Sequence, residues 1–177
     1  MKTKIDLTPT LVEATIADYP IMQNMGRFYI YDFSRHCGLS TNHNWACPDD
    51  GLYECIDFSD YFNKNNYYPF LVKVGEELAG FALIDKVGTG ENTDWNMGEF
   101  YIVAKFQGTG VAAHVFRQVL AKFSGQWEIS VIPENTPAVK FWQREINKIT
   151  NGKYTKQEKM VDYDQDHPNR LIFTFDY

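Results

Sequence analysis

Glu99-Phe100-Tyr101-Ile102-Val103-Ala104-Lys105-Phe106-Gln107-Gly108-Thr109-Gly110-Val111-Ala112 is the stretch on which the fold turns. It reads as an apolar strand, a glycine turn and the start of a helix. Beyond it Val115, Phe116, Val119, Leu120 and Phe123 recur at helical spacing while Arg117, Gln118 and Lys122 take the opposite face, so the helix is amphipathic. Gly108 and Gly110 let backbone amides crowd together without a Cβ, and the first turn of a helix leaves its N–H groups without intrahelical partners. Helix N-termini also carry partial positive charge, which makes the turn a cradle for an anion and for diphosphate above all.

Other readings of the turn compete. A plain strand-to-helix connection that needs glycine stays open, because a lone Gly-x-Gly carries little information. Gly108-Thr109-Gly110-Val111-Ala112-Ala113 also satisfies the dinucleotide fingerprint G-x-G-x-x-A. That fingerprint wants its first glycine directly behind the strand, near the start of a long βαβ array; here Ala104 to Gln107 intervene and little chain follows. A nucleoside-triphosphate loop is excluded because no Gly-Lys-Ser/Thr follows.

Gln107-x-x-Gly110-x-Ala112 resembles the Q/R-x-x-G-x-G/A signature of the GNAT acetyltransferases. Downstream, Trp127-Glu128-Ile129-Ser130-Val131 alternates like a strand. Pro133-Glu134-Asn135-Thr136-Pro137-Ala138-Val139-Lys140-Phe141-Trp142 is similar to that family's next strand end and the helix bearing N-x-x-A-x-x-F-[YW]. The two motifs, in order, cover about residues 97 to 147.

Composition sets the frame. With 177 residues, 44% hydrophobic and 16% aromatic, the chain has one domain's length and ample core material, so residues 1–177 are expected to form a single domain. Nothing approaches the roughly 18 uninterrupted apolar residues of a membrane span, and Met1-Lys2-Thr3-Lys4-Ile5-Asp6 lacks the apolar stretch of a signal peptide; a cytoplasmic protein is expected. A net charge of −6 disfavours nucleic acid as a partner and mildly favours cations. Cys37, Cys47 and Cys55 are odd in number and fit a reducing compartment. No C-x-x-C or H-x-x-x-H pair organises them with His36 and His43, and no metal is expected. His114 on the polar helix face and His167 in a polar loop read as solvated.

In chain order, a first strand is expected near Ile5 to Ala14. A helix starts at Asp18 and Pro20 and runs to about His36, where Gly38 stops it; its aromatics on more than one face read first as core packing. Residues 38–56 read as a long loop and Phe58 to Lys64 as a short helix. Phe70 to Val74 and Leu78 to Ile84 form a hairpin across Gly75-Glu76-Glu77, and the next strand begins near Asn96. After the Phe141-Trp142 helix, Gly152 marks a break. Strands around Tyr154 to Val161 and Leu171 to Phe175 end the chain.

The resemblance implies an α+β GNAT fold with a mixed, largely antiparallel sheet flanked by helices, in which a splayed strand pair holds acetyl-CoA. It implies an N-acetyltransferase that moves an acetyl group to a primary amine of a small molecule or peptide by direct attack, with a homodimer compatible and no membrane partner. Gln107, Gly108, Thr109, Gly110, Val111 and Ala112 would bind the pyrophosphate of coenzyme A through backbone amides, with Lys105 or Lys140 meeting other phosphate charge. Ile102 and Val103 would contact pantetheine. Glu99 would act as the base, directly or through water, and Asp32 and Asp57 would recognise a cationic acceptor. Many relatives carry tyrosine where this chain has Trp142, and an indole N–H does not give up its proton at neutral pH. Trp142 is therefore expected to wall the thioester end, held there by Asn135 as helix cap, with no acid at position 142. The alternative is a non-catalytic acyl-CoA sensor or interaction module on the same fold.

Overall fold

A computed structural model describes residues 6–39 and 45–177. The elements in order are β1 (Pro9–Glu13), α1 (Tyr19–Cys37), α2 (Asp60–Asn63), β2 (Tyr67–Val74), β3 (Glu77–Asp85), β4 (Trp95–Ile102), α3 (Val111–Leu120), β5 (Gln126–Val131), α4 (Thr136–Thr150), β6 (Thr155–Met160) and β7 (Asn169–Asp176). Among the described residues the strands form one sheet in the order β1-β2-β3-β4-β5-β7-β6, antiparallel throughout except where β4 runs parallel to β5. None of the described helices is long and apolar enough to cross a membrane.

Each face of the sheet is covered because its strands alternate. Ala82, Ile84, Met97, Trp127, Ile129 and Phe173 are buried against α3 and α4, whose Val115, Phe116, Val119, Trp142 and Ile146 point inward. On the other face Leu71, Phe81, Leu83 and Tyr101 pack against Met22, Met25 and Phe58, which brings α1 and the segment before α2 over the sheet. β6 is exposed along its whole length and reads Thr-Lys-Gln-Glu-Lys-Met, a charged edge that discourages pairing with another chain.

The expected elements are present with shifted ends. β1 begins at Pro9, and Ile5 lies outside the described residues, as does His43 in the expected loop. α2 spans only Asp60–Asn63. His167 departs from its reading as a solvated residue: it is 8% exposed, and Nε1 of Trp45 donates to its Nε2. The reason is tertiary, since the β6–β7 connection folds back over the loop that follows α1.

Phe116 is fully buried with its ring edge-on to Trp142 at 5.1 Å and to Phe175 at 6.3 Å, so it locks α3 to α4 and to the sheet. Phe116→Ala is expected to cost about 3–5 kcal/mol in urea-unfolding free energy, with the cavity left behind adding to the lost transfer energy.

Candidate active site

β4 and β5 pair only at Trp95 with Trp127 and Asn96 with Glu128; beyond these the strands part. Their separation opens a cleft through the sheet. On the β3 side, Leu83 faces Glu99 and Ile84 faces Met97, which leaves Gly98 as the extra residue of a bulge. The bulge changes the alternation: Met97 and Phe100 both pack on the α3–α4 face, while Tyr101 and Glu99 turn toward α1. A side chain at Gly98 would collide with the Tyr61 hydroxyl and the Asp85 carboxylate, so glycine is what permits this close passage.

The resulting cavity has a volume of about 380 Å³ and is bounded by Gly98, Glu99 and Phe100 of β4, Ser130 and Val131 of β5, and Trp142 of α4. Glu99 stands on its wall, and its carboxylate accepts the Tyr29 hydroxyl at 2.5 Å. Burial pushes the Glu99 carboxyl up to about 7; the Tyr29 hydrogen bond and the Arg170 charge oppose that rise, and the Asp85 charge adds to it. Burial, with the Glu99 charge behind it, also raises Tyr29 well above the ordinary phenol range, so it stays a donor. A carboxylate with a near-neutral pKa in a cleft is equipped to exchange protons.

Most of this cavity's polar wall was not foreseen from sequence. Asp85 is 4% exposed and accepts from the Tyr61 hydroxyl, the Val87 amide at 2.8 Å and the Asn96 side chain at 3.0 Å. Burial raises its pKa, against the pull of those hydrogen bonds. Glu128, 2% exposed, accepts from the amides of Thr89 at 2.8 Å and Gly90 at 3.1 Å and from the Thr93 hydroxyl at 3.2 Å. The donors to both are neutral groups, and no cation pairs with either carboxylate among the described residues. Arg170, also on the wall, is bound to Asp164 at 2.5 Å. A signal for Asp85 and Glu128 existed in the sequence: each is a carboxylate at the end of, or inside, an otherwise apolar strand.

Trp142 is 6% exposed, with its ring 5.2 Å from Phe100 and 4.9 Å from Phe141. Asn135 caps its helix, Oδ1 accepting from the Ala138 amide at 3.3 Å, and both residues border the cleft. Asn135 is thus a helix cap, and Trp142 is packed among Phe100, Phe116 and Phe141.

On the α3–α4 side lies a second, larger cavity of about 1000 Å³, bordered by Gly108 to His114 and by Arg117, Arg144 and Lys148. Gly108 and Gly110 have φ of 74° and 94°, a left-handed backbone that favours glycine. The amides of Gln107 and Thr109 donate to the carbonyls of Ala104 and Phe106, which removes them from an anion cradle. Those of Gly108, Gly110, Val111 and Ala112 donate to no such backbone partner among the described residues and are the donors left to an anion.

Other sequence candidates fall elsewhere. The Gln107 side chain donates to the Ile102 carbonyl at 2.8 Å and to Asp32 at 3.3 Å, clamping the turn to the end of β4. Asp32 also accepts the Tyr101 hydroxyl at 3.1 Å and lines neither cavity. Asp57 caps the chain before α2, accepting the Ser59 amide at 2.8 Å and the Tyr19 hydroxyl at 3.0 Å, and lines neither cavity. Lys105 is paired with Glu77 at 2.5 Å, and Lys140 borders neither cavity. Ile102 and Val103 lie past the cleft wall, which β4 builds from Gly98, Glu99 and Phe100.

Comparison with known proteins agrees with this fold. No curated protein matches the sequence significantly. An acetyltransferase from Thermus thermophilus superposes with a TM-score of 0.66 at 16% identity, over 98% of this chain and 100% of its own. The ribosomal-protein-S18-alanine N-acetyltransferase of Escherichia coli gives 0.57 at 11% identity, over 95% and 93%. A candidate streptothricin acetyltransferase from Bacillus anthracis, solved in complex with acetyl coenzyme A, gives 0.51 at 14% identity, over 70% of each chain. These likenesses are of fold. The sequence model of the acetyltransferase (GNAT) family matches residues 29–147, a span that holds the bulged strand, the glycine turn and the capped helix, and the chain belongs to that family.

Proposed function

We propose that this protein transfers the acetyl group of acetyl-CoA to a primary amine that carries further positive charge. The observation that carries the reading is Glu99, a carboxyl held at about 7 at the bulge of β4 and facing the cleft. When bound, acetyl-CoA supplies the thioester. A lysine-like amine, with a pKa of about 10.4, arrives protonated. Glu99, directly or through one water, takes that proton. The nitrogen lone pair would then form the N–C bond, the C–S bond would break with its electron pair leaving on sulfur, and the second proton of the new ammonium-like nitrogen would pass to that thiolate, giving the neutral amide and the thiol. No acid at position 142 is needed, because a thiolate is a far better leaving group than an alkoxide and Trp142 serves as a wall.

Glu99 as base supports a particular pH profile. Its carboxylate is the active form, so turnover should rise with pH through about 7 and flatten above. Tyr29→Phe removes a hydrogen bond that favours the carboxylate, and the midpoint should move to higher pH. Glu99→Gln should lower turnover at pH 8 by about a hundredfold or more while acetyl-CoA still binds, read by free-thiol release. Full turnover in folded Glu99→Gln would assign the base elsewhere.

The acceptor is inferred from charge. Asp85, Glu99, Glu128 and Asp164 border the cleft, and Arg170 is the cation among them. Asp32 and Asp57 give up the recognition role to Asp85 and Glu128, whose position at the cleft supports it better. With acetyl-CoA and a panel of polyamines, aminoglycosides, amino acids and lysine peptides, thiol release should favour acceptors with two or more positive charges over neutral monoamines. Binding of acetyl-CoA without thiol release from any of them would favour the sensor reading.

Gly108, Gly110, Val111 and Ala112 are assigned to the pyrophosphate. Gly110→Asp would set a carboxylate where phosphate belongs, in a position whose φ also disfavours a side chain. Its affinity for acetyl-CoA, measured by calorimetry on folded protein, should fall at least about tenfold.

A further inference from the structure

A row of rings leads outward from Glu99 and is left unused by the reading above. Tyr29, whose hydroxyl holds Glu99, stands edge-on to Phe33 at 4.6 Å. Phe33 stacks on Trp45 at 5.1 Å with an interplanar angle of 16°, and Trp45 lies 5.3 Å from the His167 ring. Phe33 and Trp45 border the cleft, whereas His167 does not and stands behind Trp45. The row therefore joins three segments far apart in the chain: α1, the residues that follow it, and the connection between β6 and β7.

Trp45 and His167 can bond in one way. An indole N–H donates and does not accept, so Nε2 of His167 offers its lone pair, and the bond exists only while the imidazole is neutral. Imidazole ordinarily changes charge between about pH 5 and 8, and a proton on Nε2 sets donor against donor. The backbone of His167 is fixed independently: its amide donates to Asp164 at 3.0 Å and its carbonyl accepts from Arg170. These two are the charged groups beside it on its own connection, paired with each other at 2.5 Å, and Asp166 precedes it in the chain. The Arg170 charge also reaches Tyr29 and Cys37 of α1 and Glu99 of β4, and the Glu134 charge reaches Cys37. A change of charge on the His167 ring is thus felt first at Trp45.

Trp45 and the buried carboxylates Asp85 and Glu128 occupy opposite ends of the cleft. Asp85, Asn96 and Glu128 share one row across β3, β4 and β5, and Glu128 pairs onward with Thr174 of β7. Arg170 lies four residues before Thr174, about 13 Å along β7, and Trp45 stands at that end against the connection Arg170 anchors. An ammonium is drawn to the carboxylate row. Beside Arg170 an uncharged carbon segment fits better, and a rigid indole offers it contact area at little entropic cost. Resting on the acetyl-transfer reading for what enters the cleft, we infer that Trp45 is the specificity-determining wall for an apolar segment of the acceptor, and that neutral His167 is the positioning residue that holds it there.

Nuclear magnetic resonance with isotope-labelled indoles tests the hold without substrate; Trp45→Phe assigns the resonance, and Trp95, Trp127 and Trp142 report that the fold persists. Between about pH 8 and 5 the Trp45 N–H resonance should move with the same midpoint as the His167 ring. In His167→Gln, whose amide oxygen accepts the indole N–H at either end of that range, it should stay. A Trp45 resonance that keeps its place while His167 titrates, or a His167 ring that never titrates in that range, would overturn the hold. Turnover at pH 8 with the panel acceptor that releases thiol fastest tests the wall. His167→Ala should raise the KM of that acceptor by about fivefold to tenfold, leave the KM of acetyl-CoA within about twofold, and be rescued by His167→Gln. Trp45→Ala should raise the acceptor KM at least as much. Equal shifts in both KM values would mark a merely structural role and overturn the wall. Thiol release with none of the panel would overturn the acetyl-transfer reading and the wall with it, while the resonance titration still decides the hold.

Discussion

The parting of β4 from β5 after two paired residues is the constraint from which the cleft follows. Parallel neighbours in a sheet normally continue their ladder, and the strand that loses its partner must place its backbone groups elsewhere. Here β4 is kept in place from its other side, where β3 holds it through the bulge at Gly98 and on to Ile102. β5 is held in turn by β7 along its full length. The gap is therefore bounded by two strands that are each well paired on the far side.

The two sides of the sheet differ in charge as they differ in packing. Toward α1 the cleft collects carboxylates, two of them buried and held by neutral donors. The Asp85 charge contributes, behind burial itself, to the raised pKa of Glu99. Toward α3 and α4 the larger cavity offers amides and cations. The two mouths thus differ in sign, and low-dielectric walls focus such fields.

Aromatic packing fixes the boundary between these sides. Trp142 lies against Phe100, Phe116 and Phe141, so the bulged strand, α3 and α4 meet at one ring. On the opposite face Tyr29 packs edge-on to Phe33 and Phe81 while its hydroxyl holds Glu99. One tyrosine thus couples the packing of α1 to the protonation of the cleft carboxylate.

Local chemistry made much of this legible from the sequence. The glycine turn, the amphipathic helix behind it, the Asn135 cap and the strand alternation are set by residues within a few positions of one another, and the structure retains them all. Glu99 could be named because it precedes the Phe100-Tyr101-Ile102 segment, where the resembling family often keeps a carboxylate. What surrounds Glu99 could not, because Tyr29, Asp85, Glu128 and Arg170 come from four separate elements and meet only when the sheet is assembled. The same holds for His167, polar in its local sequence yet buried by a loop from far along the chain, and for Asp32 and Asp57, acidic by sequence yet taken up by Tyr101, Gln107 and Tyr19 from other elements. Spacing along the chain determines which face a side chain takes; its charge partners and its access to water depend on long-range packing, which decided the polar half of the site.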